Sequence, residues 1–357
     1  MTRTVGGRDQ MIADLCEQAI ENRVFPGCQV GYVMNGIQSV ATFGHLTYES
    51  TAPSVTAHTV YDVASITKSV PTSSVILKLA EEGKVALDDK VAMYVPELAN
   101  TFRDQILVRH LLTFTVLFQL TDTMANVARK SPAELLNAIL TAPVETRPGE
   151  KYVYTNAPSM LLGMIAERIC SEPLDEIAHR MFFGPLKMMR TTFHAGSIPA
   201  EEVAPSTIDW RDEVRGKVHD PGAWALYHEG RVPGHAGLFS TAPDLLKFTE
   251  MLLNGGMVGQ RQFFEADTVQ LMHTNQIPTL ENKMGLGWSI ANPVVMGTSA
   301  SDQVFGKTGF TGTMILIDPV KKRSMAVLSN RTFPRTPESY GPMRSVWRGL
   351  ADIVFAD

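Results

Sequence analysis

The chain reads as an α/β protein: an antiparallel sheet flanked by helices, assembled from both ends of the sequence, with a mostly helical region between. Three observations carry that expectation. Apolar, strand-like segments sit near the start and again in the last third. The middle is rich in helix-start signals and apolar faces of helical period. A chain of 357 residues, 44% hydrophobic and 19% charged, has the composition of a folded domain pair.

Each element follows from local chemistry. Residues 9–22 place Met11, Ile12, Leu15 and Ala19 on one helical face, and Pro26-Gly27 stops that helix. Cys28, Val30 and Tyr32 then alternate towards Asn35-Gly36, with a second apolar run at 40–43, the signature of a hairpin. From about Tyr61 the reading turns helical, with a long helix over 65–82 closed by Gly83. Ser131-Pro132-Ala133-Glu134 is a capping box with proline in the first turn. Asn156 suits the cap of a helix over 157–170, and 173–182 suggests another. Thr241-Ala242-Pro243-Asp244 opens one more, ending near Gly255-Gly256. Strands are expected around Val304-Phe305, 314–317 and 325–328, then a closing helix over 343–355. Residues 200–235 read as a long loop region and 275–283 as a shorter one. The expected division is a sheet domain of 1–60 and 236–357 and a mostly helical domain of 61–235, with a cleft between them as the default site.

Several function classes are disfavoured. With 37 acidic and 32 basic residues the net charge is −5, and the basic residues are scattered, so nucleic acid is not an expected partner. No apolar run approaches the roughly 18 residues of a membrane span. Met1 to Gly7 carries no apolar signal core, and the chain reads as cytoplasmic. Cys16, Cys28 and Cys170 form no paired spacing and read as buried free thiols. The histidines show no metal spacing, so neither a metal nor another cofactor is expected. The 18 methionines are read as core filling.

The chemistry-bearing residues are fewer. GxSxG, HExxH, Walker and GxGxxG patterns are absent. What stands out is Ser65-Ile66-Thr67-Lys68. On a helix start, Ser65 and Lys68 share one face, and first-turn N–H groups favour developing negative charge there. A serine hydroxyl needs a neighbouring base, and a lysine serves if its pKa is lowered. Tyr154-Thr155-Asn156 precedes a helix, and Lys307-Thr308-Gly309 lies on or beside a strand. Near the serine, Lys307 would help keep Lys68 neutral, Tyr154 could relay a proton, and Asn156 could hold a substrate amide or carbonyl. Gly309 would let a substrate lie against the strand edge. His235, between glycines, looks catalytic at first sight but is read as structural.

In this order the three motifs resemble the serine β-lactamase-like superfamily, in the branch of class C β-lactamases, D-alanyl-D-alanine carboxypeptidases and family VIII carboxylesterases. The similarity spans nearly the whole chain, including Gly234-His235-Ala236-Gly237-Leu238 and Gly306-Lys307-Thr308-Gly309-Phe310. The resemblance implies a β-lactamase/transpeptidase-like fold and an acyl-enzyme on Ser65. It implies Lys68 as the base, Tyr154 in proton transfer, Asn156, Lys307, Thr308 and Gly309 in substrate binding, and the N–H groups of Ser65 and Phe310 as an oxyanion hole. The substrate would be a small ester, β-lactam or peptide, with a D-alanyl-D-alanine carboxypeptidase or a non-catalytic binding homologue as alternatives. Oligomeric state is left open. One departure is visible: where the family commonly runs His-Thr-Ser-Gly-Leu, this chain has Phe114-Thr115-Val116-Leu117-Phe118. That change implies either a reshaped loop and a more apolar pocket, or neutral drift of a structural loop.

Overall fold

The computed structural model describes residues 7–120, 130–227 and 230–357. Its centre is a six-stranded antiparallel sheet. The strands are β1 (Gly27–Met34), β2 (Ile37–Gly44), β3 (Ser289–Ile290), β4 (Phe305–Gly309), β5 (Thr313–Asp318) and β6 (Arg323–Ser329), in the order β2-β1-β6-β5-β4-β3. The first strand thus pairs with the last, Cys28 opposite Ser329 and Tyr32 opposite Met325. The β1–β2 turn is the expected one, with Asn35 and Gly36 both at positive φ, as a two-residue hairpin requires.

The strands explain how the core divides. In β5, Met314 and Leu316 join the core under the terminal helices, while Ile315 and Ile317 join the larger core on the opposite face. In β6 the same alternation separates Met325 and Val327 from Ala326 and Leu328. Sheet faces covered on both sides need apolar residues at every position, which is why 314–317 and 325–328 read as unbroken apolar runs. Helices α1 (Gly7–Glu21) and α5 (Gly341–Phe355) cover one face, with Ile12 and Cys16 packed alongside Val346, Trp347 and Leu350. Helix α4 (Ala242–Leu253) covers the other, and Leu246 approaches so closely that a Cβ on Gly31 would lie 2.8 Å from its Cδ1.

The helical segment holds the nucleophile-bearing turn. Residues Ala64–Lys68 form a 3₁₀ turn, Ser69–Ser73 a π turn, and only Ser74–Glu81 is α-helix, here α2. One α-helix was expected over this stretch. The departure has a local cause: Ser73 Oγ donates to the Lys68 carbonyl at 2.7 Å and Ser74 Oγ to the Ser69 carbonyl at 2.8 Å, and Pro71 has no N–H to give. Helix α3 (Ala157–Cys170) packs alongside. The expected capping box is present, Ser131 Oγ accepting from Glu134 N and Glu134 returning to Ser131 N.

Other expectations need correction. Residues 200–235 are not one loop: Thr207–Asp209 pairs with Asp212–Val214, and Pro221–Tyr227 is helical. Tyr61–Asp62 is a short strand paired with Phe239–Ser240. Cys16 and Cys28 are buried free thiols, whereas Cys170 is only half-buried. Among the described residues no helix is long and apolar enough to cross a membrane.

Candidate active site

Ser65 lies at the start of the 3₁₀ turn, and the residue before it, Ala64, has φ +46°. That left-handed conformation costs a non-glycine residue energy, so the surroundings must hold it. They do so through Asp62, whose Oδ1 accepts the Ala64 N–H at 2.7 Å and whose Oδ2 accepts the His219 N–H at 2.7 Å. Asp62 is buried, and burial pushes its carboxyl up to about 6 against those two hydrogen bonds. Its backbone carbonyl receives the Thr311 hydroxyl at 2.6 Å, tying the nucleophile turn to the loop after β4.

Lys68 is 1% exposed, and its amine donates to Ser65 Oγ at 2.9 Å and to the His235 carbonyl at 2.8 Å. Burial pushes the ammonium down to about 7, with the Asp220 carboxylate pulling the other way. The His235 carbonyl is placed by close backbone packing. A Cβ on Gly234 would meet the Ser159 carbonyl at 2.2 Å, and Thr72 Oγ1 donates to the Gly234 carbonyl at 2.7 Å. The His235 ring is buried, with Nε2 3.2 Å from Asp220 Oδ1.

Tyr154 reaches the same point from the segment before α3. Lys68 Nζ lies 5.5 Å from its ring centroid, and the neighbouring Ser65 side chain favours its ionised form. Desolvation raises its pKa, and the Ser65 contact only partly offsets that, although 42% of the residue's surface is open to solvent. Tyr154 is therefore a neutral phenol around pH 7.

Lys307, on β4, is 5% exposed and has a different setting. Its Nζ lies 4.2 Å from the Tyr154 ring centroid and 4.7 Å from that of Phe114. Burial, and then the charge of Lys68, push its pKa well below the ordinary value. The expected direction of influence needs revising: burial, rather than Lys307, is what chiefly lowers Lys68.

Ser65, Tyr154, Lys307, Thr308, Gly309 and Phe310 all line one cavity of about 570 Å³, which Tyr152, Tyr340, Trp347 and Arg344 line as well. Among the described residues Phe310 N–H donates to no protein acceptor, while its carbonyl is held by Arg331 Nε at 3.0 Å and Tyr340 Oη at 2.8 Å. Ser65 N–H belongs to the first turn of its helix, where N–H groups lack intrahelical partners.

Two expectations shift here. Asn156 stands at the N-cap position of α3 but in helical conformation, and its side chain accepts no cap hydrogen bond. It is half-buried and is not among the residues lining the cavity. Gly309 has a packing reason to lack a side chain: a Cβ there would lie 2.3 Å from the Val63 carbonyl and 2.1 Å from Thr313 Oγ1. Of the apolar 114–118 stretch, only Phe114 bears on the site. It has φ +54°, its ring centroid is 5.0 Å from that of Tyr154, and it packs with Ile277 and Met284. Val116 and Phe118 point into the main core.

Asp220 and the His235 carbonyl were not singled out from sequence. A main-chain oxygen has no residue signature, and a lone aspartate ahead of a proline reads as a turn. The glycines flanking His235 were the available signal.

Comparisons with known proteins bear on the family and the fold. A family model described as Beta-lactamase matches residues 12–344. A protein of Escherichia coli (strain K12) named "Putative D-alanyl-D-alanine carboxypeptidase" is 34% identical over 313 residues, spanning 79% of this chain and 71% of its own. Two solved structures share the fold at 19% identity and a TM-score of 0.78. One is EstCE1, described as a hydrolase with promiscuous acyltransferase activity, covering 98% of both chains. The other is a penicillin-binding protein homologue from Caulobacter crescentus, covering 99% of this chain and 98% of that one. On the match across nearly its whole length, the chain belongs to the Beta-lactamase family.

Proposed function

We propose that this serine hydrolase cleaves small carboxylic esters or amides, β-lactams among them, through an acyl-enzyme on Ser65. The observation that carries the reading is the Lys68 amine, buried, 2.9 Å from Ser65 Oγ, with its pKa brought down to about 7. An amine of that basicity is neutral in a large fraction of molecules near pH 7 and can take the hydroxyl proton.

The steps follow from the positions. Ser65 Oγ attacks the substrate carbonyl carbon as its proton passes to Lys68 Nζ. The carbonyl π electrons move to oxygen, and the Ser65 and Phe310 N–H groups are the donors available to that oxyanion. Removing one such donor typically costs about 3–4 kcal/mol of transition-state stabilisation. Collapse breaks the bond to the leaving group, which takes a proton from Tyr154 while Lys68 returns one to the phenol. Tyr154 suits this relay because its raised pKa keeps it protonated between turnovers. Water then attacks the acyl-enzyme with the same groups used in reverse. Lys307 and Thr308 face the cavity where the rest of the substrate would lie, and Asn156 is assigned a supporting role beside it.

A second reading, D-alanyl-D-alanine carboxypeptidase, is favoured by the naming of the E. coli relative. It needs Lys307 to meet a substrate carboxylate, and among the described residues Lys307 forms no ion pair and lies against the Phe114 and Tyr154 rings. Labelling with a fluorophosphonate, peptide mapping, and a panel of p-nitrophenyl esters, nitrocefin and a D-alanyl-D-alanine peptide separate these. Label on Ser65 with ester turnover is expected. Label elsewhere, or no label on active protein, overturns the acyl-enzyme. Peptide turnover exceeding ester turnover selects the second reading.

A further inference from the structure

We propose that Asp220 is a positioning residue for the acylation step: it anchors His235, whose backbone carbonyl holds the Lys68 amine against Ser65, and it supplies the negative charge facing that amine. This rests on the acyl-enzyme reading above. Lys68 and His235 are 167 positions apart in sequence, so their contact depends on something fixing the second segment. Packing at Gly234 and the Thr72 hydroxyl fix its main chain, and Asp220 adds the anchor on the His235 side chain. Asp220 Oδ1 accepts the Ala223 N–H at 2.8 Å and lies 3.2 Å from His235 Nε2. His235 is 2% exposed, and among the described residues its Nδ1 meets no partner and Asp220 is the ring's one polar anchor.

The charge around Lys68 points the same way. The titratable groups facing it are the Tyr154 phenol, Lys307, Asp220, the His235 ring behind the carbonyl, and Asp62 on its own segment. Asp62 spends its two oxygens on the Ala64 and His219 N–H groups. Asp220 is the carboxylate that acts on the amine: it raises the Lys68 pKa against burial, and Lys68 in turn helps hold Asp220 ionised. Burial alone disfavours the Asp220 carboxylate, and the charge and contact of His235, the Ala223 N–H and Lys68 overcome it. Without this anion, Lys68 would be a weaker base, neutral down to lower pH but accepting the serine proton less readily.

The test follows the rate at which a fluorophosphonate labels Ser65, by intact-mass spectrometry, from about pH 5 to about pH 9. Wild-type labelling should fall off below a midpoint near 7. Asp220→Asn keeps an acceptor for Ala223 and His235 but loses the charge. Its midpoint should move down by about one pH unit, so that below the wild-type midpoint the variant labels up to about tenfold faster than wild type. Its plateau rate at high pH should fall, because a weaker base accepts the proton less readily. Asp220→Glu, which keeps the charge, should restore the midpoint. A residue serving only the Pro221–Tyr227 helix would lower melting temperature and leave the midpoint alone. An unmoved or upward-moving midpoint in Asp220→Asn therefore overturns the proposal. A wild type that takes no label at Ser65 overturns the acyl-enzyme reading itself, and this inference with it.

Discussion

Two lysines sit within one site, and their surroundings have almost nothing in common. Lys68 is gripped by oxygen: the Ser65 hydroxyl and the His235 carbonyl take two of its three donors. Lys307 is gripped by carbon: the faces of Phe114 and Tyr154 flank it. Both are buried, and burial lowers the basicity of both. The difference teaches that burial sets how readily a lysine gives up its proton, while the neighbours decide what it can then do. An amine held by two oxygens beside a hydroxyl is aimed at one proton. An amine between rings has attraction from their faces but no fixed hydrogen-bond partner, so an incoming anion is the strongest partner it can meet.

The sharpest way to break this contrast is to remove the aimed amine. Lys68→Ala and Ser65→Ala should each reduce kcat/KM for an ester by about 10³-fold or more, by similar factors, because the two act as one unit. A Lys68→Ala variant keeping most of its turnover would show that the oxygens around that amine are incidental. Lys307→Ala should discriminate between substrates instead. It should weaken turnover of a carboxylate-bearing substrate about 10- to 100-fold more than that of a neutral ester, the worth of a charge-assisted hydrogen bond. Equal losses for both would mean Lys307 acts on the catalytic groups and not on the substrate.

The pH dependence follows from the cited direction. Neutral Lys68 is the active form, so kcat/KM should fall about tenfold per pH unit below about 7. Phe114→Leu, which removes one ring from Lys307 but touches no oxygen on Lys68, should leave that limb in place and change KM for charged substrates a few-fold. A moved limb would show the two lysine environments to be coupled through Tyr154.

The smallest effect is thermodynamic. Lys307→Met should raise stability by about 1–2 kcal/mol near neutral pH, since it removes a buried amine that has no oxygen partner. Lys68→Met should gain less, because it strips the His235 carbonyl of its donor. The sign is checked by pH: a lysine whose folded pKa lies below its unfolded value destabilises the fold most where the unfolded chain holds the proton. The advantage of Lys68→Met should therefore shrink as pH rises from about 7 towards about 10.5, and that of Lys307→Met should shrink in the same direction. Denaturant titrations at two pH values suffice to read it.

Much of this was legible in the residues themselves. Ser65, Lys68, Tyr154 and Lys307 announced themselves by type and order, and the strands of the last third by unbroken apolar runs. The Ser131 and Thr241 caps were legible because a side-chain oxygen meeting a bare N–H is a local event. What escaped was non-local or belonged to the main chain. The His235 carbonyl and the Asp220 carboxylate matter through distance in space. The π turn at Ser69–Ser73 depends on serine hydroxyls reaching back five residues, a choice that composition does not force. Asn156 misled because asparagine before a helix usually caps it, and here its backbone is already helical.

The pairing of β1 with β6 has a consequence for how the molecule comes into being. Residues 27–34 are synthesised long before 323–329, yet one whole edge of that strand waits for them. Until residues 323–329 have emerged, Val30, Tyr32 and Val33 lie on a strand with one unpaired edge, open to other chains. Closure of so distant a pair is slow, because the entropy of joining the ends is lost before any contact offsets it. The sheet that carries Lys307 is therefore a late product of synthesis, and a nascent chain stalled before β6 would present an aggregation-prone edge rather than a partial enzyme.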